Sequence, residues 1–299
     1  MTRYHVTHRT TYAYDDQVTD SLGIAFLTPR ALRWQQVGDV AIKVDPLPSD
    51  MSNDIDYYGN TVTYFQVTTS HENLDVEAVS DVDVETPVYD TEPLNQPWER
   101  ARPLIDPTLP GAWRAVDAVV ESSMAQHTDE AFFYGDVSFT PGRPLIDVVN
   151  DLMHRIHVDF AYDKAATNVS STVHEIFAAK GGVCQDFAHL MLACLRSHGI
   201  AARYVSGYLS TTPPAGKERV VGADASHAWV TVWVPALTPD GVDQWVALDP
   251  TNDTWADDRY VWVAWGRDYA DVPPVKGVIF TDAKSSTLKV SVDVAPLVP

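Results

Sequence analysis

From its start to about residue 85 the chain alternates between apolar and polar positions. Residues 3–14, 21–27, 33–44, 61–69 and 74–84 each carry enough of this period to predict a strand. In Asp75-Val76-Glu77-Ala78-Val79-Ser80-Asp81-Val82-Asp83-Val84 the period is nearly pure, which makes one face dry and the other wet. Tyr58-Gly59-Asn60 is a turn signal suited to closing a hairpin. Several such strands with no helical pattern between them predict a small antiparallel β sandwich over residues 1–86. His5, His8 and His71 match no metal spacing and read as residues of strand faces.

Beyond residue 86 the period changes. Residues 87–110 hold six prolines, which supply no N–H to a ladder, so this stretch reads as a linker or an extended wrap. Trp113, Val116, Val120 and Met124 recur at helical spacing and predict a helix. A second helix opens at Pro144 and presents Leu145, Val149, Leu152 and Ile156 on one face. Thr172 and Glu175 form a capping box for a short helix that ends at Lys180-Gly181. The next helix begins at or just after Cys184, is apolar almost all round, and stops at Gly199. A strand over residues 200–208, a mobile loop from Thr211 to Gly216, two strands ending at Val234 and Asp249, and a final strand over residues 287–294 complete the reading. The fold class is α+β, with a second domain over residues 111–299.

Composition narrows the function. The net charge of −20 is dispersed along the chain and argues against nucleic acid, whose phosphates reward clustered cations. No apolar stretch approaches the length of a membrane span, and Met1-Thr2-Arg3-Tyr4-His5-Val6 lacks the core of a signal peptide. With two cysteines and no disulfide framework, the expected compartment is the cytoplasm. His154 and His157 stand three apart without a third ligand, no EF-hand-like run occurs, and neither a metal nor any other cofactor is expected.

The candidate chemistry gathers at Cys184. A thiol at a helix N-terminus faces unsatisfied N–H groups and the positive end of the macrodipole, which favour thiolate. Gly181 and Gly182 just ahead of it would let a substrate backbone approach the helix start. Cys194 points elsewhere on the same helix and cannot pair with it. If the strands ending at Val234 and Asp249 form a hairpin with Val234 near Gln244, Trp229 lies opposite Asp249 and His227 is its diagonal neighbour on the same face. A slip of one residue would put them on opposite faces. In the first register a histidine base and an orienting aspartate accompany the thiol.

Gly182-Val183-Cys184-Gln185-Asp186-Phe187-Ala188, the stretch Gly199 to Tyr208, His227-Ala228-Trp229 and Asp249-Pro250-Thr251-Asn252 together resemble the bacterial transglutaminase-like superfamily. The first 85 residues resemble that family's companion N-terminal β domain. The resemblance implies a papain-like core, with the nucleophile helix packed on an antiparallel sheet. By motif, Cys184 is the nucleophile, His227 the base and Asp249 its orienter. Asp186 matches an acidic position that reads as loop support. Tyr162 matches an aromatic ahead of the cysteine, either a second oxyanion donor beside the Cys184 N–H or a packing residue. The run Gly266 to Asp271 resembles the C-terminal part of the bacterial subfamily, with no role that follows from its chemistry.

Such a site performs acyl transfer through a thioester. The expected partner is a peptide or amide substrate, and the expected reaction is hydrolysis of a peptide, isopeptide or γ-glutamyl amide bond. Transfer to an amine acceptor, an aromatic amine included, uses the same triad. A non-catalytic peptide-binding module is the reading from a different class.

Overall fold

The computed structural model describes residues 1–109, 111–211, 225–238 and 244–297. Its first strand, β1 (Thr2–Ala25), merges two segments that alternation kept apart. The register shifts between Ala13 and Val18, where exposed Asp15 and Asp16 break the period. β2 (Gln35–Asp45), β3 (Asp50–Ile55), β4 (Thr61–Val67) and β5 (His71–Val84) follow, all in antiparallel pairs. β5 buries Leu74, Val76, Ala78, Val82 and Val84 on one face, as its sequence dictates. β3 is exposed at every position and so shows no period; pairing with β4 across the turn at Gly59 (φ 76°) defines it.

The antiparallel domain is present, but as one curled sheet, β2-β5-β1-β4-β3, instead of two facing sheets. β1 is long enough to have different neighbours along its length: β5 beside its first half and β4 beside its end. The sheet therefore folds over on itself, and Val44 of β2, Phe65 and Val67 of β4, and Leu74 and Val76 of β5 share one core. The result is a half-barrel.

The proline-rich stretch is a packed wrap. It forms α1 (Thr91–Leu94) and a 3₁₀ turn over Trp98–Ala101, and Leu94, Trp98 and Ala101 are buried in the main core. The indole N–H of Trp98 donates to the Thr140 carbonyl at 3.0 Å. The helix expected on Trp113, Val116, Val120 and Met124 does not form. A single turn, α2 (Ala112–Ala115), passes into 3₁₀ and ends. Trp113 and Val120 are exposed, while Ala112, Ala115, Ala118 and Val119 are buried in their place. Helical spacing alone does not supply a cap or a helix-forming continuation, and Ser122-Ser123 offers neither.

α3 (Asp129–Asp136), which no periodic face announces, is capped by the Thr128 side chain. α4 (Leu145–Asp159) buries its four predicted residues together with Val148 and Met153. After β6 (Ala161–Tyr162) comes α5 (Val173–Ala179), with the reciprocal Thr172–Glu175 cap in place. Lys180 turns left-handed (φ 52°) into β7 (Gly181–Gly182), which pairs in parallel with β6. α6 (Cys184–Ser197) is buried from Asp186 to Arg196. The core sheet follows: β8 (Ala202–Leu209), β9 (Ala225–Trp233), β10 (Trp245–Asp249), β11 (Thr254–Trp255) and β12 (Tyr260–Gly266), in the order β11-β10-β9-β8-β12. Alternation along β9 sends Ala228, Val230 and Val232 toward α6, and Trp229 to the opposite face with Tyr260 and Trp262. The loop expected between Thr211 and Gly216 lies, apart from Thr211, outside the described residues. Among the described residues no helix is long and apolar enough to cross a membrane.

The last two strands leave the core. β13 (Val275–Thr281) and β14 (Ser286–Pro296) pair antiparallel with the two halves of β1, so the chain's end belongs to the first sheet and not to the 111–299 unit. Behind α6, the guanidinium of Arg196 is 1% exposed and donates to the carbonyls of Ala118 (3.1 Å), Ala202 (2.8 Å) and Arg267 (2.5 Å) and to the Ser122 hydroxyl (3.1 Å). Burial lowers its pKa to about 10, which still leaves it charged at neutral pH. Arg196→Leu removes every one of these donors at once. Urea unfolding should show a loss on the order of 3 kcal/mol; a variant as stable as the parent contradicts this account of the helix's support.

Candidate active site

Each component of the site is placed by a short, local device. The β6–β7 ladder sets Tyr162 beside Gly182, and Val183 then leads in extended conformation (φ −113°) to Cys184, the first residue of α6. Asp186, one turn in, reaches back: its Oδ2 accepts the Val183 N–H at 2.8 Å and the Thr167 hydroxyl at 2.6 Å. Burial raises the Asp186 pKa, against the pull of those two hydrogen bonds. The two glycines serve this arrangement. A Cβ at Gly182 would lie 2.6 Å from Asp186 Oδ2, and one at Gly181 would lie 2.9 Å from the Ala161 carbonyl. The room expected for a substrate backbone is therefore filled by the chain's own groups.

The hairpin register is the one that brings His227 and Asp249 together. Trp245 pairs with Trp233 and Leu248 with Val230, and the Val234 N–H donates to the Gln244 carbonyl at 2.8 Å. His227 Nε2 lies 2.7 Å from Asp249 Oδ2. Asp249 has no exposed surface, and its carboxylate also accepts the Tyr260 hydroxyl (2.7 Å), the Asn252 side-chain amide (2.6 Å) and the Thr251 N–H (2.9 Å). Burial opposes its ionisation, but the charge and hydrogen bond of His227, with those from Asn252 and Tyr260, hold its pKa below the ordinary value. His227 mirrors this. Burial works to lower its pKa, while the charge and hydrogen bond of Asp249, then those of Cys184, raise it to about 10. With Nε2 committed to Asp249, Nδ1 is the nitrogen left for the sulfur.

Cys184 and His227 open onto a cleft of about 420 Å³. Tyr162 and Lys164 stand on one side and Tyr204 and Tyr269 on another; the half-barrel closes it with His8 and Tyr12 of β1 and Leu288 and Val290 of β14. Tyr162 is 55% exposed, so it belongs to the rim and not to the interior packing. Burial lowers the pKa of His8 to about 4, which makes it a neutral wall group. Cys194 is fully buried, and burial pushes its thiol up to about 12. Among the described residues no group of three or more His, Cys, Asp and Glu is placed to hold a metal ion.

Sequence reasoning passed over several supporting residues. Tyr260, which no motif marks, donates its hydroxyl to Asp249. His154 and His157, set aside as a weak metal pair, bind Asp253 (2.7 Å) and the Thr251 carbonyl (2.9 Å), and so tie the turn after Asp249 to α4. The stretch Gly266 to Asp271 proves to be an anchor. Asp268 accepts the Met124 N–H (2.9 Å) and the Ser123 hydroxyl (3.1 Å), the Tyr269 N–H donates to His189 of α6 (3.2 Å), and Arg267 grips Asp271 through two nitrogens.

Comparison with known proteins identifies the family and the fold. Residues 4–83 match the family model for the bacterial transglutaminase-like N-terminal region, and residues 139–250 match that for the transglutaminase-like superfamily. An uncharacterized protein of Mycobacterium tuberculosis strain H37Rv is 48% identical over 297 residues, covering 98% of this chain and 93% of its own length. A protein-glutamine gamma-glutamyltransferase of Pseudomonas aeruginosa is 35% identical over 98 residues, which is 32% of this chain and 14% of that protein. A solved structure of a candidate cysteine protease from Cytophaga hutchinsonii shares the fold with a TM-score of 0.75 at 19% identity, covering 100% of this chain and 91% of that one.

The His227–Asp249 pair makes a prediction that can be read without a substrate. In the wild type His227 keeps its proton until about pH 10. In Asp249→Asn the larger raising charge is gone while burial and the contact with Cys184 remain, so the imidazole should lose its proton at a markedly lower pH than in the wild type. Histidine C–H resonances followed by NMR against pH report both. A His227 that titrates alike in the two proteins contradicts the pairing.

Proposed function

Because the chain belongs to the transglutaminase-like superfamily, with that family's bacterial N-terminal region ahead of its core, we propose that it is a thiol acyltransferase whose acceptor is water. It would cleave a peptide, isopeptide or γ-glutamyl amide bond through a thioester on Cys184. The observation that carries this reading is the His227–Asp249 pair set beside Cys184 at an open cleft. A degenerate binding module has no use for a buried carboxylate held by so many donors, and the partly exposed thiol lines the open cleft.

The steps follow from the geometry. His227 holds the proton, so the sulfur attacks the amide carbonyl as thiolate and a C–S bond forms while the carbonyl π electrons move to oxygen. The Cys184 N–H, the first amide of α6, would donate to that oxyanion, with the Tyr162 hydroxyl at the rim as the candidate second donor. Collapse of the tetrahedral species breaks the C–N bond, and the His227 imidazolium gives its proton to the departing amine. The neutral imidazole then takes a proton from water as the water oxygen bonds to the thioester carbon; the second tetrahedral species collapses with cleavage of the C–S bond, which releases the carboxylic acid and returns the Cys184 thiolate. Asp249 stays ionised throughout and keeps His227 oriented.

A lysine amine in place of water would turn the same thioester to cross-linking. The segment shared with the Pseudomonas aeruginosa protein-glutamine gamma-glutamyltransferase supports that as the second reading.

Incubation with peptide, isopeptide and γ-glutamyl amide libraries tests both readings by mass spectrometry. An acyl adduct should appear on Cys184, and turnover should fall at least about 10³-fold in Cys184→Ala and His227→Ala. Oxygen-18 from labelled water in the product marks hydrolysis; incorporation of an added amine in its place marks cross-linking. A thiol that iodoacetamide labels in the wild type, with no adduct and no turnover from any library, counts against enzymatic function.

A further inference from the structure

A second pocket, of about 350 Å³, shares no lining residue with the catalytic cleft. It lies where the loops of the half-barrel meet the outer residues of β8, β9, β10 and β12. Its size is at the small end of the range for ligand sites, about 300–1,000 Å³. In a chain of net charge −20, three arginines (Arg114, Arg203 and Arg267) and one aspartate line it. The aspartate, Asp117, already accepts the Tyr57 hydroxyl at 2.5 Å, and Arg267 is paired with Asp271.

Arg114 stacks over the Trp113 ring at the exposed border, which leaves Arg203 as the inner cation. Its guanidinium carbon lies 3.7 Å from the ring centroid of Trp245 and 5.4 Å from that of Trp265. It makes no hydrogen bond or ion pair with any described residue. Burial lowers its pKa to about 9, and the charges of Arg30 and Arg114 act in the same direction, yet it remains a cation at neutral pH. Stacking on indoles uses only the face of a guanidinium; its edge of N–H donors is left over, in the planar fork that matches an oxyanion. The surroundings also hold unused donors. The side-chain amide nitrogen of Gln244 and the indole N–H groups of Trp34 and Trp262, all from lining residues, are buried without partners. Buried donors in that state are uncommon, and their dipoles add to the positive potential. A purely structural arginine stack requires neither the free edge nor this excess of donors.

We propose that the pocket binds a small organic acid with a planar aromatic body, its carboxylate or phosphate oxygens on the edge of Arg203 and its ring against the tryptophans. Among the lining tryptophans Trp113, 73% exposed at the pocket's border, is the one most open to such a ring. This site is independent of the acyl chemistry.

Calorimetric titration of the full chain at low salt with indole-3-acetate and with adenosine 5′-monophosphate tests the proposal. Tryptamine and adenosine, which lack the anion, serve as controls. Saturable binding of either acid, weakened about tenfold or more by Arg203→Lys and by Trp113→Ala, supports it. Which acid binds more tightly identifies the head group as carboxylate or phosphate. Trp113 is exposed, so its variant keeps the test valid should Arg203→Lys fail to fold, and iodoacetamide labelling of Cys184 should be unchanged in it. Failure of both acids to bind, equal affinity for the uncharged or cationic controls, or binding unaffected in a folded variant overturns the proposal.

Discussion

A carboxylate with no contact with solvent stays ionised only if its oxygens are engaged, and Asp249 depends on that condition. Its donors come from three places: His227 on β9, Tyr260 at the start of β12, and Thr251 and Asn252 in the turn that follows it. Their convergence is what fixes the imidazole. It also constrains the sheet between them. In the register Gly207 of β8 falls between His227 and Trp262, and a Cβ there would lie 2.2 Å from the Val261 carbonyl and 2.5 Å from the Trp229 ring. A side chain at that point would displace the aromatic wall that stands beside Tyr260 and the His227 ring.

The nucleophile is held from the other direction. Asp186 fastens the entry of α6 to Val183 and Thr167, while Arg196, His189 and the Asp268 anchor hold its rear. Cys184 therefore has little freedom to drift from His227 even though it begins a helix next to solvent. The half-barrel contributes in its turn by closing the cleft with β1 and β14, so residues from both ends of the chain face the thiol.

Much of this was legible in the residues alone. Cys184, His227 and Asp249 stood out because thiol catalysis needs few residue types; alternation left the hairpin register open by one residue, and the pairing of Trp245 with Trp233 settles it. Local signals also sufficed for the Thr172–Glu175 cap, for α4 and for the strand character of residues 74–84. What escaped was set by distant pairing. Tyr260 and His8 gain their places only once β12 and β1 find their neighbours, and β3 carries no period because neither of its faces is buried. The sandwich became a half-barrel because the strand count says nothing about one strand serving two sets of partners. Around Trp113 the spacing pointed to a face, and the structure buries Ala112, Ala115, Ala118 and Val119 instead.

The central claim is that His227, oriented by Asp249, keeps Cys184 reactive. Iodoacetamide alkylation of the intact protein at pH 7, resolved by mass spectrometry for Cys184 and Cys194, tests it most directly. Buried Cys194 should stay unlabelled, and the rate at Cys184 should fall about tenfold or more in His227→Ala. Equal rates at Cys184 in the wild type and His227→Ala would contradict the account.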